Sequence, residues 1–243
     1  DNIELHPMDS DFDNLNLTPI LLGRSGGSTG KPTRTKMDLD HITQSSKHLA
    51  LAHSVHDTFD TLMMMWYGLL PDNIGVICAL SRAHIGYNVE RWFSPLRGKD
   101  ANIGWYYTLL TYLMIYMGRF HGHKFPFPDY VQLDNPLPIA KALAEAVQSN
   151  NTACILTTTS KCVRICVVAK QHGIDLTGVT FYGTSEPATP AKVTTIKSSG
   201  ANFVTYYSSM ETSAIGLPCK NPVDIDDVHF MSNNLAMIQR PKQ

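Results

Sequence analysis

The sequence is short of charge imbalance, of paired cysteines and of long apolar runs, and each shortage removes a class of protein. Twenty Lys and Arg stand against 21 Asp and Glu, for a net charge of -1. With no basic excess to track a phosphate backbone, nucleic acid is not expected as a main partner. The five cysteines, Cys78, Cys154, Cys162, Cys166 and Cys219, are odd in number and form no Cys-x-x-Cys pair. A disulfide framework is therefore not expected, and a reducing, cytoplasmic setting fits. The opening Asp1-Asn2-Ile3-Glu4-Leu5-His6 lacks a basic start followed by an apolar run, so it does not read as a secretory signal. The most apolar stretch, residues 103–117, falls short of the about 20 residues that span a bilayer. No membrane span is expected, and that stretch reads as a buried core helix.

What is present suits a folded core: 43% of the 243 residues are hydrophobic. Residues 1–20 are polar and acidic without a clear period, and a Gly/Ser/Thr cluster follows at 23–35. Asp38 is placed to cap a helix in which Ile42, Leu49, Ala52, Val55, Phe59, Leu62, Met63 and Trp66 keep helical spacing up to Pro71. Residues 74–80 read as a buried strand, 130–133 as a short strand and 138–147 as a helix opened by Pro138. From there the pattern is regular. Strands at 153–157, 179–182 and 202–207 alternate with helices at 161–172 and 189–199, each helix stopped by a glycine. Such alternation predicts an α/β fold of βαβ units on a mostly parallel sheet with flanking helices. A later β-pair is expected at 228–231 and 235–238, giving a β-rich C-terminal segment.

The densest local signal is Ser25-Gly26-Gly27-Ser28-Thr29-Gly30-Lys31-Pro32. Glycines let backbone N–H groups converge, hydroxyls donate and lysine adds charge, so the loop is built to wrap an anion. It is not a Walker loop: Ser25 stands where that motif needs glycine, and Pro32 where it needs Ser or Thr. Two further segments follow strands. The first is Gly183-Thr184-Ser185-Glu186-Pro187, before a helix opened by Thr189 and Pro190. The second is Tyr206-Tyr207-Ser208-Ser209-Met210-Glu211-Thr212, with Gly216 beyond it.

In this order the three segments resemble the motifs of the acyl-adenylate-forming (AMP-binding) superfamily, whose usual forms are S-G-[ST]-T-G-x-P-K, G-[AG]-E-P and Y-[GS]-x-[ST]-E. The S-G-G-S-T-G variant is similar to the phenylacetate–CoA ligase branch. The resemblance covers about residues 25–216 and implies a division of the chain. Residues 1–216 would form an ATP- and acid-binding core, and 217–243 the start of a truncated β-rich subdomain, with a C-terminal lid absent. It implies that Ser25, Gly26, Gly27, Ser28, Thr29, Gly30 and Lys31 hold ATP phosphates. Ser185, Glu186, Pro187 and Tyr207 would lie along the adenine, and Glu211 would hold Mg²⁺, with Lys31 and Glu211 the catalytic pair. Met210 departs from the family's Thr or Ser, which donates to the α-phosphate; Ser209 or Thr212 would have to substitute. Ser185 departs from a usual glycine.

The implied activity is ATP-dependent activation of a small carboxylic acid to acyl-AMP, then transfer to coenzyme A or a carrier-protein thiol. The alternative is a catalytically incomplete nucleotide-binding or interaction protein derived from such a ligase. A longer polypeptide, a second chain supplying the lid and a homodimer are all left open. Cys219 and His229 form a candidate zinc pair by the same resemblance, but two ligands do not make a tetrahedral site. The histidine pairs His53/His56 and His121/His123 lack a carboxylate pattern such as H-E-x-x-H and read as solvated. Trp92, Phe93, Trp105 and Tyr106 read as core, with an acid pocket as their alternative.

Overall fold

The computed structural model describes residues 8, 11, 21–24, 34–97, 104–209, 212–232 and 235–239. It begins with an antiparallel hairpin, β1 (Leu21–Arg24) and β2 (Arg34–Met37), paired from Leu21↔Met37 to Arg24↔Arg34. Helix α1 (Leu39–Val55) follows and stops earlier than its apolar spacing suggested. Asp57 adopts φ 53°, and the Thr58 N–H bonds back to the His53 carbonyl while the Asp57 N–H reaches the Ser54 carbonyl. These are the two bonds of a left-handed helix terminator, with aspartate in the place usually held by glycine.

The chain emerges from that turn as β3 (Leu62–Trp66), so Leu62, Met63 and Trp66 belong to a strand and not to the expected helix. The stretch read as a strand at 74–80 is instead helix α2 (Ile74–His84). A short apolar run fits either state, and here the tertiary neighbours decide. Asp72 opens α2 by accepting from the Ile74 N–H at 3.1 Å, which removes one unpaired donor at the helix start. Met63 to Trp66 are at most 3% exposed, as a central parallel strand buried on both faces requires.

The remaining elements are β4 (Val89–Ser94), α3 (Trp105–Phe120), β5 (Pro128–Tyr130), α4 (Leu137–Asn150), β6 (Ala153–Thr158), α5 (Thr159–Gln171), β7 (Val179–Thr184), α6 (Pro190–Lys197) and β8 (Asn202–Thr205). A small sheet follows, built from β9 (Tyr207–Ser209), β10 (Ser213–Pro218) and β11 (Val228–Phe230). Six strands form one sheet in the order β5-β4-β3-β6-β7-β8, and every neighbouring pair is parallel. The small sheet is antiparallel, ordered β11-β10-β9. The α/β architecture expected from the sequence is the one observed. Residues 235–239 are not a strand; β11 pairs with β10 instead.

The strand order reverses between β3 and β6. From β3 the chain steps outward to β4 and β5, then returns across β3 to β6 and steps the other way to β7 and β8. Crossovers in a parallel sheet are right-handed, so opposite directions of travel place their helices on opposite faces. Accordingly, Val76 and Ala79 of α2 and Ile115 of α3 pack with Met63, Met65 and Trp92. Leu143 of α4, Ile165 of α5 and Ile196 of α6 pack with Met64, Trp66 and Phe181. The alternation Met63, Met65 against Met64, Trp66 is the period of two of a strand with helices on both sides.

Helix α3 is not the buried core helix its composition predicted. Only Thr111 and Ile115 are buried, while Tyr106, Leu109, Leu113, Tyr116 and Phe120 are 47% to 88% exposed. Trp105 is 75% exposed, whereas Trp92 and Phe93 are core. Among the described residues, no helix is long and apolar enough to cross a membrane.

Candidate functional site at the carboxyl edge of the sheet

In an open parallel sheet the crevice outside the carboxyl ends of the strands, where strand order reverses, is the usual ligand site. Here that point lies between β3, ending at Trp66, and β6, ending at Thr158. Two of the three sequence segments start from the same edge: Ser185 to Pro187 follows β7, and Tyr206 to Ser209 follows β8.

The β7 turn is tightly specified. A Cβ on Gly183 would come within 2.5 Å of the Phe203 ring and 3.1 Å of Thr159 Oγ1, so only glycine lets β7 lie this close to its neighbours. Ser185 has φ 63°, a left-handed conformation that glycine takes without cost. Thr184 Oγ1 shares a 2.6 Å hydrogen bond with Tyr67 Oη, which joins the ends of β7 and β3.

Glu186 turns inward. Its carboxylate accepts from the Ser160 N–H at 3.1 Å, from the Ser160 hydroxyl and from Lys192 Nζ at 2.9 Å, while its carbonyl accepts from Thr159 Oγ1 at 3.2 Å. Partial burial works against the charge. The bonds from Ser160 and Lys192 and the Lys192 charge outweigh it and hold the Glu186 carboxyl below its usual range. Glu186 thus ties the β7 turn to the start of α5 and to α6. Pro187 is exposed, and Thr189 adopts the extended conformation of a helix entry with Pro190 in the first helical turn.

Beyond β8, the Tyr206 N–H bonds to the Gly183 carbonyl at 2.9 Å. Tyr207, the next residue, has 56% of its surface exposed. It pairs with Gly216, where a Cβ would lie 2.4 Å from Val228. Ser209 and Thr212 hydroxyls share a 3.0 Å hydrogen bond, so the two candidates for the missing donor at Met210 lie together. Met210 and Glu211 fall outside the described residues, as do Ser25, Gly26, Gly27, Ser28, Thr29, Gly30 and Lys31. The strands on either side of that loop, β1 and β2, are paired.

Several residues at this edge carried no signal strong enough to be chosen from the sequence: Tyr67, Ser160, Lys161 and Lys192. The run Thr157-Thr158-Thr159-Ser160-Lys161, between an apolar strand and a helix, is the pattern that could have found them. Lys161 Nζ donates to the Trp66 carbonyl at 3.1 Å and lies 5.2 Å and 5.5 Å from the centres of the Trp66 and Tyr67 rings. Burial lowers its pKa, against the pull of Asp72, Cys162 and Glu186.

Cys219 and His229 sit on the β10–β11 hairpin, where Cys219 follows Pro218↔Val228 and His229 pairs with Leu217. No cluster of three His, Cys, Asp or Glu that could hold a metal occurs among the described residues, so this pair has no third ligand there. His53, read as solvated, is 1% exposed; it bonds Thr58 Oγ1 at 2.8 Å, and burial pushes its pKa down to about 2. His56 is half-buried near the Pro218 carbonyl, and His121 and His123 are exposed. An open apolar cleft lined by Val76, Trp92, Thr111, Met114 and Phe125 among others lies between α2 and α3; of the residues weighed for an acid pocket it includes Trp92, and it holds none of the three sequence segments.

No family model matches this sequence, and no curated protein sequence matches it. Solved structures do match its fold. McyG A-PCP complexed with phenylalanyl-adenylate is 10% identical, with 98% of this chain aligned to 31% of that one at a TM-score of 0.52. ATP-bound MatB from Rhodopseudomonas palustris is 12% identical over 80% of this chain and 30% of that one, TM-score 0.48. The N-terminal subdomain of Klebsiella oxytoca NpsA, in complex with 3-hydroxyanthranilyl-AMSN, is 13% identical over 86% and 43%, TM-score 0.48. The chain therefore spans less than half the length of each of these three structures. Its six-stranded parallel sheet, helices on both faces and appended antiparallel sheet are the fold of an adenylate-forming domain.

Proposed function

We propose that this chain is the ATP- and acid-binding core of an acyl-adenylate-forming ligase of the phenylacetate–CoA ligase type. The observation that carries the reading is the convergence of the Ser185–Glu186–Pro187 turn and the exposed Tyr207 at one edge of a sheet with the fold of an adenylate-forming domain. The turn and the ring would flank the adenine: the backbone of Ser185 to Pro187 along its edge and Tyr207 on its face. Glu186, already engaged by Ser160 and Lys192, would fix the turn and not touch the nucleotide.

Residues 25–31 would surround the β- and γ-phosphates, with Ser28 and Thr29 donating and Lys31 neutralising charge. Glu211 would hold Mg²⁺, a cation that takes one or two carboxylates together with phosphate oxygens. Bound there, the ion would neutralise phosphate charge. Ser209 or Thr212 would donate to the α-phosphate in place of Met210. In the reaction, the acid's carboxylate oxygen bonds the α-phosphorus as the bond to pyrophosphate breaks, giving acyl-AMP. Coenzyme A or a carrier-protein thiol then displaces AMP. The protein's contribution to the first step is positioning and charge stabilisation. A core at 1–216 and a β-rich subdomain from 217 remain the proposed division, although β10 (Ser213–Pro218) runs through that boundary.

Acid-dependent ATP–pyrophosphate exchange tests the reading. The protein with a panel of carboxylic acids should exchange, and Lys31→Ala should reduce exchange by about 100-fold or more, the scale of losing one preorganised charge contact. Met210 specifically favours a second reading, a nucleotide-binding protein that no longer adenylates. Mg-ATP binding without exchange for any acid would select it.

A further inference from the structure

We propose that Lys161 receives the carboxylate of the acid, in the crevice between the ends of β3 and β6. The inference rests on the ligase reading and names a residue for the substrate that none of the three sequence segments supplies.

The position is set by topology. Lys161 is the third residue of α5, directly after the carboxyl end of β6 and across the switch point from β3. Its ammonium is held inward by the Trp66 carbonyl and lies over the rings of Trp66 and Tyr67. It forms no ion pair among the described residues. Glu186, the carboxylate of the adjacent turn, is committed to Lys192 at 2.9 Å and to Ser160. Asp72 is occupied on the other side by the Gly68 and Ile74 N–H groups, at 3.1 Å each. Both acids act on Lys161 only through space.

A half-buried ammonium with no carboxylate beside it is an expensive arrangement, because burial penalises the charged form. The Trp66 carbonyl does not require it, since Thr157 Oγ1 already donates there at 3.0 Å. One of the three Lys161 donors is used, leaving two for an incoming anion. The indole N–H of Trp66, in the same contact, is buried without an acceptor. The groups beside the ammonium are the buried rings of Trp66 and Tyr67, and the acid assigned to this site is accordingly a monocarboxylate with an apolar or aromatic body. Lys192 cannot serve, being already neutralised by Glu186.

The test is a binding titration that needs no turnover. Lysine side-chain NMR, with the Lys161 signal assigned from Lys161→Arg, is followed against pH with acetate, hexanoate, benzoate or phenylacetate and with benzamide as the uncharged control. An apolar monocarboxylate should raise the Lys161 titration midpoint, and benzamide should not. Lys161→Met should weaken carboxylate binding by about tenfold or more, the value of a charge-assisted hydrogen bond. It should leave Mg-ATP affinity in place and should not lower the thermal midpoint. A Lys161 midpoint unmoved by every acid overturns the proposal. So does a Lys161→Met protein that binds the acid as before, or one that loses acid and nucleotide together. Pyrophosphate exchange is scored separately. Acid binding at Lys161 without exchange would refute adenylation and leave this site standing; exchange with Lys161 unmoved would do the reverse.

Discussion

Ser185 is a non-glycine residue in a backbone conformation that favours glycine. Its φ of 63° belongs to the region that side chains occupy at a cost and glycine occupies freely. Ser185→Gly should therefore be neutral or stabilising by up to about 1 kcal/mol, whereas Ser185→Val, β-branched and unsuited to that φ, should cost about 1–3 kcal/mol. Urea unfolding of the two variants measures the difference, and equal midpoints would show that the turn relaxes. Tyr207 and Pro187 could be chosen from the sequence only because their segments resemble motifs in a fixed order; taken alone, the Pro187 segment reads as an ordinary strand-to-helix turn. Lys161 could not, because a lysine near a helix start is ordinarily solvated. Only its position over Trp66 and Tyr67 distinguishes it.

At the scale of elements, α3 and β3 teach opposite lessons about apolar runs. Residues 62–66 and 74–80 are both short apolar runs, yet one is a strand and the other a helix. Neighbours settle it: β3 lies between β4 and β6, and α2 has Asp72 to open it. Helix α3 reads as core by composition, but it buries only the Thr111 and Ile115 side against the sheet. Replacing Leu113 or Tyr116 by glutamine should thus change stability by no more than about 0.5 kcal/mol, as for exposed positions generally. Ile115→Ala should cost about 2–4 kcal/mol as a core truncation. Denaturant midpoints of the three variants separate the faces; a large loss at Leu113 would mean that the outer face is covered. The regular stretch from β6 to β8 was readable to within a few residues, because each helix there is stopped by a glycine and each strand is a short apolar run.

For the whole molecule, the buried polar network around α1 ties folding to pH. His53, packed against Tyr87 and Tyr182, has its pKa pushed down to about 2, chiefly by burial and then by the Arg82 and His56 charges. The unfolded chain takes up its proton near 6.5, the folded chain only near 2, so stability is full above about pH 6.5 and is lost as the pH falls below it. Between pH 7 and pH 5 the loss from this one group is on the order of 2 kcal/mol. Urea unfolding at the two pH values should show it, and His53→Gln should remove that share of the slope; an unchanged slope would assign the pH dependence elsewhere.

The sequence by itself determined the alternation of strands and helices from β6 to β8, the order of the three segments and hence the expectation of a parallel α/β sheet, because periodicity and turn chemistry are local. It could not determine where the strand order reverses. Adjacency of β3 and β6, separated by some ninety residues, is decided by which faces the helices cover, and that is a property of the packed chain. The tertiary structure alone placed Lys161 beside Trp66, turned Glu186 away from the open edge and exposed the outer face of α3, since each depends on contacts between residues far apart in sequence.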